Sequence, residues 1–290
     1  RGEIDLWKMD DRLLDSDARI KLSIVISKRS SADTCTRLQG LVFDIERGLL
    51  FASESINHQV QVFSCDDGSF VSKFGERGDQ PGQFQKPYGI AIDHDHDRIL
   101  ITDCLNHRVQ LWSLSNQSFL SCIGKKELRG HKFQFPRDVA TDKPIIVDSN
   151  NHRLVFLSSI DLSFLFEIGT KGSQPGEFEF LNCIAIDEDR HRIIVSDTYN
   201  HRVQVLSSID GSFLFEFGSK GDQPCEFKSP QGVCIDNHDR IIVADTNNAR
   251  LQSFTHEGHH ISSFDCGNER PRAVAFDEHR GLIAFSAGHR

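Results

Sequence analysis

The chain has 290 residues, 38% of them hydrophobic and 26% charged, with a formal net charge of -9. That length suits one large or two ordinary domains; the negative charge argues against indiscriminate nucleic-acid binding by the whole surface, and no apolar run approaches the ~20 residues of a membrane helix. One Met, 8 Pro and 22 Phe, with Phe, Val and Ile in short runs bounded by Gly, Asp and Asn, are the make-up of strands joined by turns.

The first residues, Arg1-Gly2-Glu3, are neither an initiator Met nor a signal peptide, so the chain is expected to be a piece of a longer protein. Ile4-Asp5-Leu6-Trp7-Lys8 reads as a half-buried strand, and residues 20–26 as an outer one. A pattern then repeats. Its anchors are Asn57, Asn106, Asn151, Asn200 and Asn248, with Gly288 in the sixth place. The interval is roughly 45 residues, the length of a four-stranded propeller blade. The unit from 181 shows the plan. Cys183-Ile184-Ala185-Ile186-Asp187 is a short apolar strand buried on both sides, and residues 192–197 form the second. In 201–206, Val203 and Val205 alternate with Arg202 and Gln204, the period of a half-buried strand. Residues 212–218 are the fourth strand. The whole is predicted to be an all-β, six-bladed β-propeller in one domain. Its blades fall near 35–75, 87–124, 135–169, 181–218, 230–264, and 271–290 plus 1–27. The last copy breaks at Gly288-His289-Arg290, so the N-terminal strands are expected to complete that blade, which removes open sheet edges.

Gly-Ile-Ala-Ile-Asp at 89–93, Ile-Thr-Asp at 101–103, Asn-His-Arg-Val-Gln at 106–110 and the loop Gly-Asp-Gln-Pro-Gly-Gln-Phe at 78–84 carry a family resemblance. Over roughly residues 35 to 290 the chain resembles the NHL repeats of tripartite-motif-type proteins. The resemblance implies a six-bladed propeller. It also implies a partner- or substrate-selecting part of a larger protein such as a RING-type ubiquitin ligase, or single-stranded RNA recognition as in some members. The sequence departs from the pattern at Cys225, which replaces a loop Gly and is expected to alter that turn. It departs again at Lys132-Phe133-Gln134-Phe135, which lacks Pro-Gly, and at Ala249, which replaces His.

The repeated polar residues invite a catalytic reading. A catalytic site is one constellation, however, and this set recurs with the scaffold. Asp103, Asp148, Asp197 and Asp245 are therefore read as turn anchors. His58, His107, His152, His201 and His289 lie on separate blades, too far apart to share one zinc. No Gly-x-Ser-x-Gly, Walker, Rossmann or His-Glu-x-x-His motif occurs. Asp93 to Asp97 reads as a solvated hairpin. The positions entering the inner strands, Tyr88, Arg137, Leu181, Gln231 and Arg272, include no His, so a metal-dependent lyase or lactonase is the least favoured alternative. No catalytic residue, metal or cofactor is expected. The eight cysteines show no metal or redox spacing and read as reduced thiols of a cytoplasmic protein.

Sorting the loops by blade face leaves the lower hairpins strongly acidic and the upper face, with its blade-to-blade loops, mildly basic. That upper face is the expected partner surface, through Tyr88, Arg137, Gln231 and Arg272 at the channel mouth and the basic loop residues Lys125, Lys126, Arg129 and Lys132. The expected partner is a protein, with single-stranded RNA as the alternative. No membrane contact is expected, and the propeller is expected to be monomeric.

Overall fold

The computed structural model describes residues 2–8, 23–26, 37–124, 132–141 and 143–288. Among them are six four-stranded antiparallel sheets. The fourth is typical: Leu181–Asp187, Arg192–Asp197, Arg202–Ser207 and Phe213–Phe217 pair in that order from the axis outward. Each inner strand packs against the next around the axis. Arg270–Asp277 of the last blade packs against Leu38–Asp44 of the first, so the ring closes. The fold is an all-β six-bladed propeller.

The last blade is built from both ends of the chain, in the order Arg270–Asp277, Leu282–Gly288, Gly2–Lys8, Ser23–Ile26. Gly2 pairs with Gly288, and the register runs to Lys8 opposite Leu282. The sixth copy of the repeat is displaced from where the triplet match puts it. The backbone N–H of Ala273 donates to the Ser286 hydroxyl just as that of Cys183 donates to Ser196. Gly288 is thus level with Thr198 rather than Asn200, and it is still in a strand. Pairing with Gly2 replaces the covalent turn found in the other blades, so nothing there requires the turn sequence.

Each hydrophobic cluster spans two neighbouring blades. Leu100, Val109 and Leu111 of the second blade pack with Val139, Ile146 and Val155 of the third; Phe43 and Leu50 of the first pack with Ala273, Ala275 and Ala284 of the last. A blade alone would leave both faces wet, which makes the six interdependent. Phenylalanines from the blade-to-blade loops, Phe84, Phe133, Phe178 and Phe227, are fully buried. Phe133 keeps this role although its loop lacks Pro-Gly. Opposite Phe84, Gly75 has φ +84, and a Cβ on it would lie 2.5 Å from the Phe84 ring.

The turn at Cys225 does not differ from its glycine counterparts. Cys225 has φ +68, against +82 at Gly82 and +78 at Gly176. Its N–H donates to Gln252 Oε1 at 3.2 Å, as that of Gly176 donates to Gln204 Oε1 at 2.9 Å. The anchoring glutamine holds the cysteine in a left-handed conformation that side chains avoid.

At the lower hairpins, Asp44, Asp93, Asp187 and Asp277 end their inner strands, and Asp236 directly follows its own. They pair with Arg47, Arg98, Arg190, Arg240 and Arg280 at 2.7–3.4 Å. Much of the acid on that face is therefore engaged in turn structure. Among the described residues no helix is long and apolar enough to cross a membrane.

Candidate functional site

The repeated polar stretch is a hydrogen-bond hub. Asp197 is fully buried. Its Oδ2 accepts from Asn200 Nδ2 at 2.8 Å, Arg202 Nε at 2.9 Å and Gln204 Nε2 at 3.1 Å. Its Oδ1 accepts from the backbone N–H of Glu179 in the incoming loop at 2.7 Å. Asp103 and Asp245 repeat all four bonds, and Asp148 repeats those from Asn, Arg and the loop. In the first blade the longer Glu54 accepts from Asn57, Gln59 and Gln61. The arginines then reach on to loop carbonyls, as Arg202 does to Ser173, Gln174 and Glu177.

The histidines also serve the loops. His58, His107, His152 and His201 have φ of +54 to +57. Their Nδ1 atoms accept from the backbone N–H of Lys86, Phe135, Phe180 and Ser229 at 3.0–3.4 Å. An accepting Nδ1 is the unprotonated nitrogen of its ring. Consistent with this, burial lowers the pKa of His58 and His201, and Arg77 and Lys220 respectively push the same way. Ala249 holds the same backbone conformation without the ring. Among the described residues no three His, Cys, Asp or Glu side chains group to hold a metal ion.

The residues that vary gather at the axis. Counted from Leu38, Pro87, Pro136, Leu181, Pro230 and Pro271, the second position of the inner strands is Gln39, Tyr88, Arg137, Asn182, Gln231 and Arg272 in turn. The fourth member is Asn182, not Leu181. Leu181, fully buried, occupies the place that the buried Pro87, Pro136 and Pro230 take in other blades. Gln39, Arg137, Asn182 and Arg272 border an axial cavity of about 360 Å³.

The Arg137 guanidinium lies 4.5 Å from the Tyr88 ring centroid and 4.5 Å from that of Phe180. Phe180 stacks in turn on Tyr199, 4.6 Å away and 9° from parallel. Four planar groups from three blades thus form one pile, ending at the exposed ring of Tyr199. Such stacking holds a guanidinium by its faces and leaves its N–H edge free to donate. Burial lowers the Arg272 pKa; Arg37, Arg137 and Arg270 push the same way, and Tyr88 opposes them. Sequence reasoning missed Phe180 and Tyr199, because they lie outside the inner strands and meet Arg137 only through blade packing.

One step deeper, the third positions are Gly40, Gly89, Asp138, Cys183, Gly232 and Ala273. Asp138 and Cys183 replace the small residues found elsewhere, a difference readable once the blades are aligned. Asp138 Oδ2 accepts from the Ile184 N–H at 2.9 Å, and Cys183 Sγ accepts from the Val233 N–H at 3.4 Å. Both side chains therefore tie one inner strand to the next. Burial pushes the Asp138 carboxyl up to about 6, against the opposing hydrogen bonds from Cys183 and backbone N–H groups. Burial also raises the Cys183 thiol, and the neighbouring Asp138 adds to it.

Of the remaining basic positions, only Lys132 is described, and it is less central. Lys132 is exposed, and its carbonyl accepts from Asn151 and Arg153 at 3.0 and 3.1 Å, on the third-strand side of its blade. Lys125, Lys126 and Arg129 lie outside the described residues, as does His289. Gln231 shares the ring of second positions but does not border the cavity.

A family model described as a 6-bladed beta-propeller matches residues 40–129 and 137–203, more than half of the chain. A model of the NHL repeat matches residues 227–254, which span the first three strands of the fifth blade. A comparison with curated proteins finds no match. Six closed blades, the repeated carboxylate hub and these two matches agree: the chain belongs to the 6-bladed beta-propeller family and carries an NHL repeat.

Proposed function

We propose that this propeller is a non-catalytic recognition module that receives a protein partner on the face around its channel mouth. The observation that carries this is a division of labour. The polar residues that repeat are committed to the scaffold, each with several partners. The guanidinium groups of Arg137 and Arg272, which do not repeat, make no side-chain hydrogen bond among the described residues, and each leaves a buried Nε unbonded. Tyr and Arg are frequent interface anchors, and Tyr88 and Arg137 are already stacked in place. The basic residues Lys125, Lys126, Arg129 and Lys132 are proposed to add to the contact.

In this reading the module selects partners for a larger, cytoplasmic protein, and a RING-type ubiquitin ligase is the context to which the NHL resemblance points. Free thiols suit a reducing compartment: burial pushes Cys65 up to about 12 and Cys104 up to about 11, which leaves both unreactive. Single-stranded RNA is a second reading, favoured by the exposed ring of Tyr199, on which a base could stack.

The test is affinity capture from lysate with and without ribonuclease, using wild type and the double variant Tyr88→Ala, Gln231→Ala. Proteins retained after ribonuclease and lost with the double variant support the proposal. Retention that ribonuclease abolishes overturns it in favour of RNA.

A further inference from the structure

We infer that the channel mouth seats a carboxylate of an acidic peptide between the guanidinium groups of Arg137 and Arg272. This rests on the protein-recognition reading and adds the chemistry of the recognised group. Both arginines have a buried Nε without a hydrogen-bond partner, a state proteins rarely leave uncompensated. Arg37, Arg137 and Arg270 all act on Arg272 as like charges. The acid next to Arg137 along the chain, Asp138, is engaged by Cys183 and by the N–H groups of Ile184 and Val139. A concentrated positive charge with unbonded donors, over a cavity of about 360 Å³, is complementary to one compact anion. The stack of Tyr88 and Phe180 fixes the plane of Arg137 and presents its edge, the geometry that pairs with a planar carboxylate. Gln39 and Asn182, beside the arginines on the cavity rim, supply amides that can bond a peptide backbone.

The same surface does not suit a nucleic-acid backbone. Binding a chain of phosphates needs a track of available cations. Of the other arginines on this face, Arg108, Arg153, Arg202 and Arg250 are each tied to a buried Asp at 2.8–2.9 Å. The two guanidinium groups whose Nε is left unbonded at the mouth make a point of positive charge and not a path.

The experiment is a random-peptide display selection on the immobilised protein. Selected peptides and a 12-nucleotide oligo-U RNA are then measured by fluorescence polarisation against wild type, Arg137→Gln and Arg272→Gln, with thermal melts to show that the variants fold. The expected result is enrichment of Asp- or Glu-containing peptides whose affinity falls about tenfold or more with either variant. Enriched peptides that lack acidic residues, or that bind both variants like wild type, overturn the carboxylate site and leave protein recognition standing. If no peptide is enriched, or if oligo-U binds more tightly than any peptide and is lost with the same variants, both readings fail.

Discussion

Asp197 satisfies four donors with one side chain, so its removal leaves buried groups from the third strand, the turn and the incoming loop unpaired together. Asp197→Ala should lower stability by about 3–5 kcal/mol, read from urea denaturation at pH 8. His201→Ala, which removes one acceptor from a loop N–H, should cost only about 1 kcal/mol. The two differ in pH dependence. His201 is held below its ordinary pKa, so its contribution is full above about pH 6.5 and fades as pH falls and the ring protonates in the unfolded chain. The gap between His201→Ala and wild type should narrow over that range. Asp138 has the opposite sign. Its carboxyl is raised to about 6, so the folded protein binds its proton more tightly than the unfolded chain does, and stability is lost as pH rises through that value. Asp138→Asn, which keeps an acceptor for the Ile184 N–H, should stabilise the protein at pH 8 by about 1–3 kcal/mol. That gain should vanish by about pH 4. An Asp138→Asn protein less stable than wild type at pH 8 would show that the charge is better solvated than its surroundings indicate.

At the scale of the strand and loop, the phenylalanine that ends each long loop decides how well two blades fit. Phe178 has no exposed surface and packs with Ile145 and Val147 of one blade and Leu181 and Ile193 of the next. Phe178→Ala should cost about 3–5 kcal/mol, measured as a shift in the denaturation midpoint without change in the overall β signal. These features follow period and composition, which is why strands, turns and closure could be read from the chain. Alternation marked Val203 and Val205, and the glycines marked the loops. The errors share a cause. Leu181 for Asn182, and Gly288 for an asparagine equivalent, are registers one or two residues out. A local pattern fixes the existence of a strand better than its phase, and here the phase is set by Ser and Thr bonds between neighbouring strands, such as Ser196 to the Cys183 N–H. The mouth was only half legible for a related reason. Tyr88 and Arg137 stood out because they break the repeat, whereas their contact with Phe180 and Tyr199 depends on three blades meeting.

For the molecule as a whole, six clusters each shared by two blades make a closed circle of dependence. Deleting residues 1–26 removes two strands of the last blade and bares the edge of Leu282–Gly288. The truncated protein should aggregate and lose its cooperative melt, as checked by light scattering and calorimetry; a soluble product with an unchanged melting temperature would contradict closure by both ends. The seam also has a mechanical side. Gly2 and Gly288 are directly paired, with the register running away from them to Lys8 and Leu282. A pull applied between residues 2 and 288 would load the backbone hydrogen bonds one after another, like opening a zip, instead of shearing them together. The ring is thus stiff against forces spread over its faces and soft against one particular pair of handles, so tension between those two points would open it at the last blade before disturbing the other five.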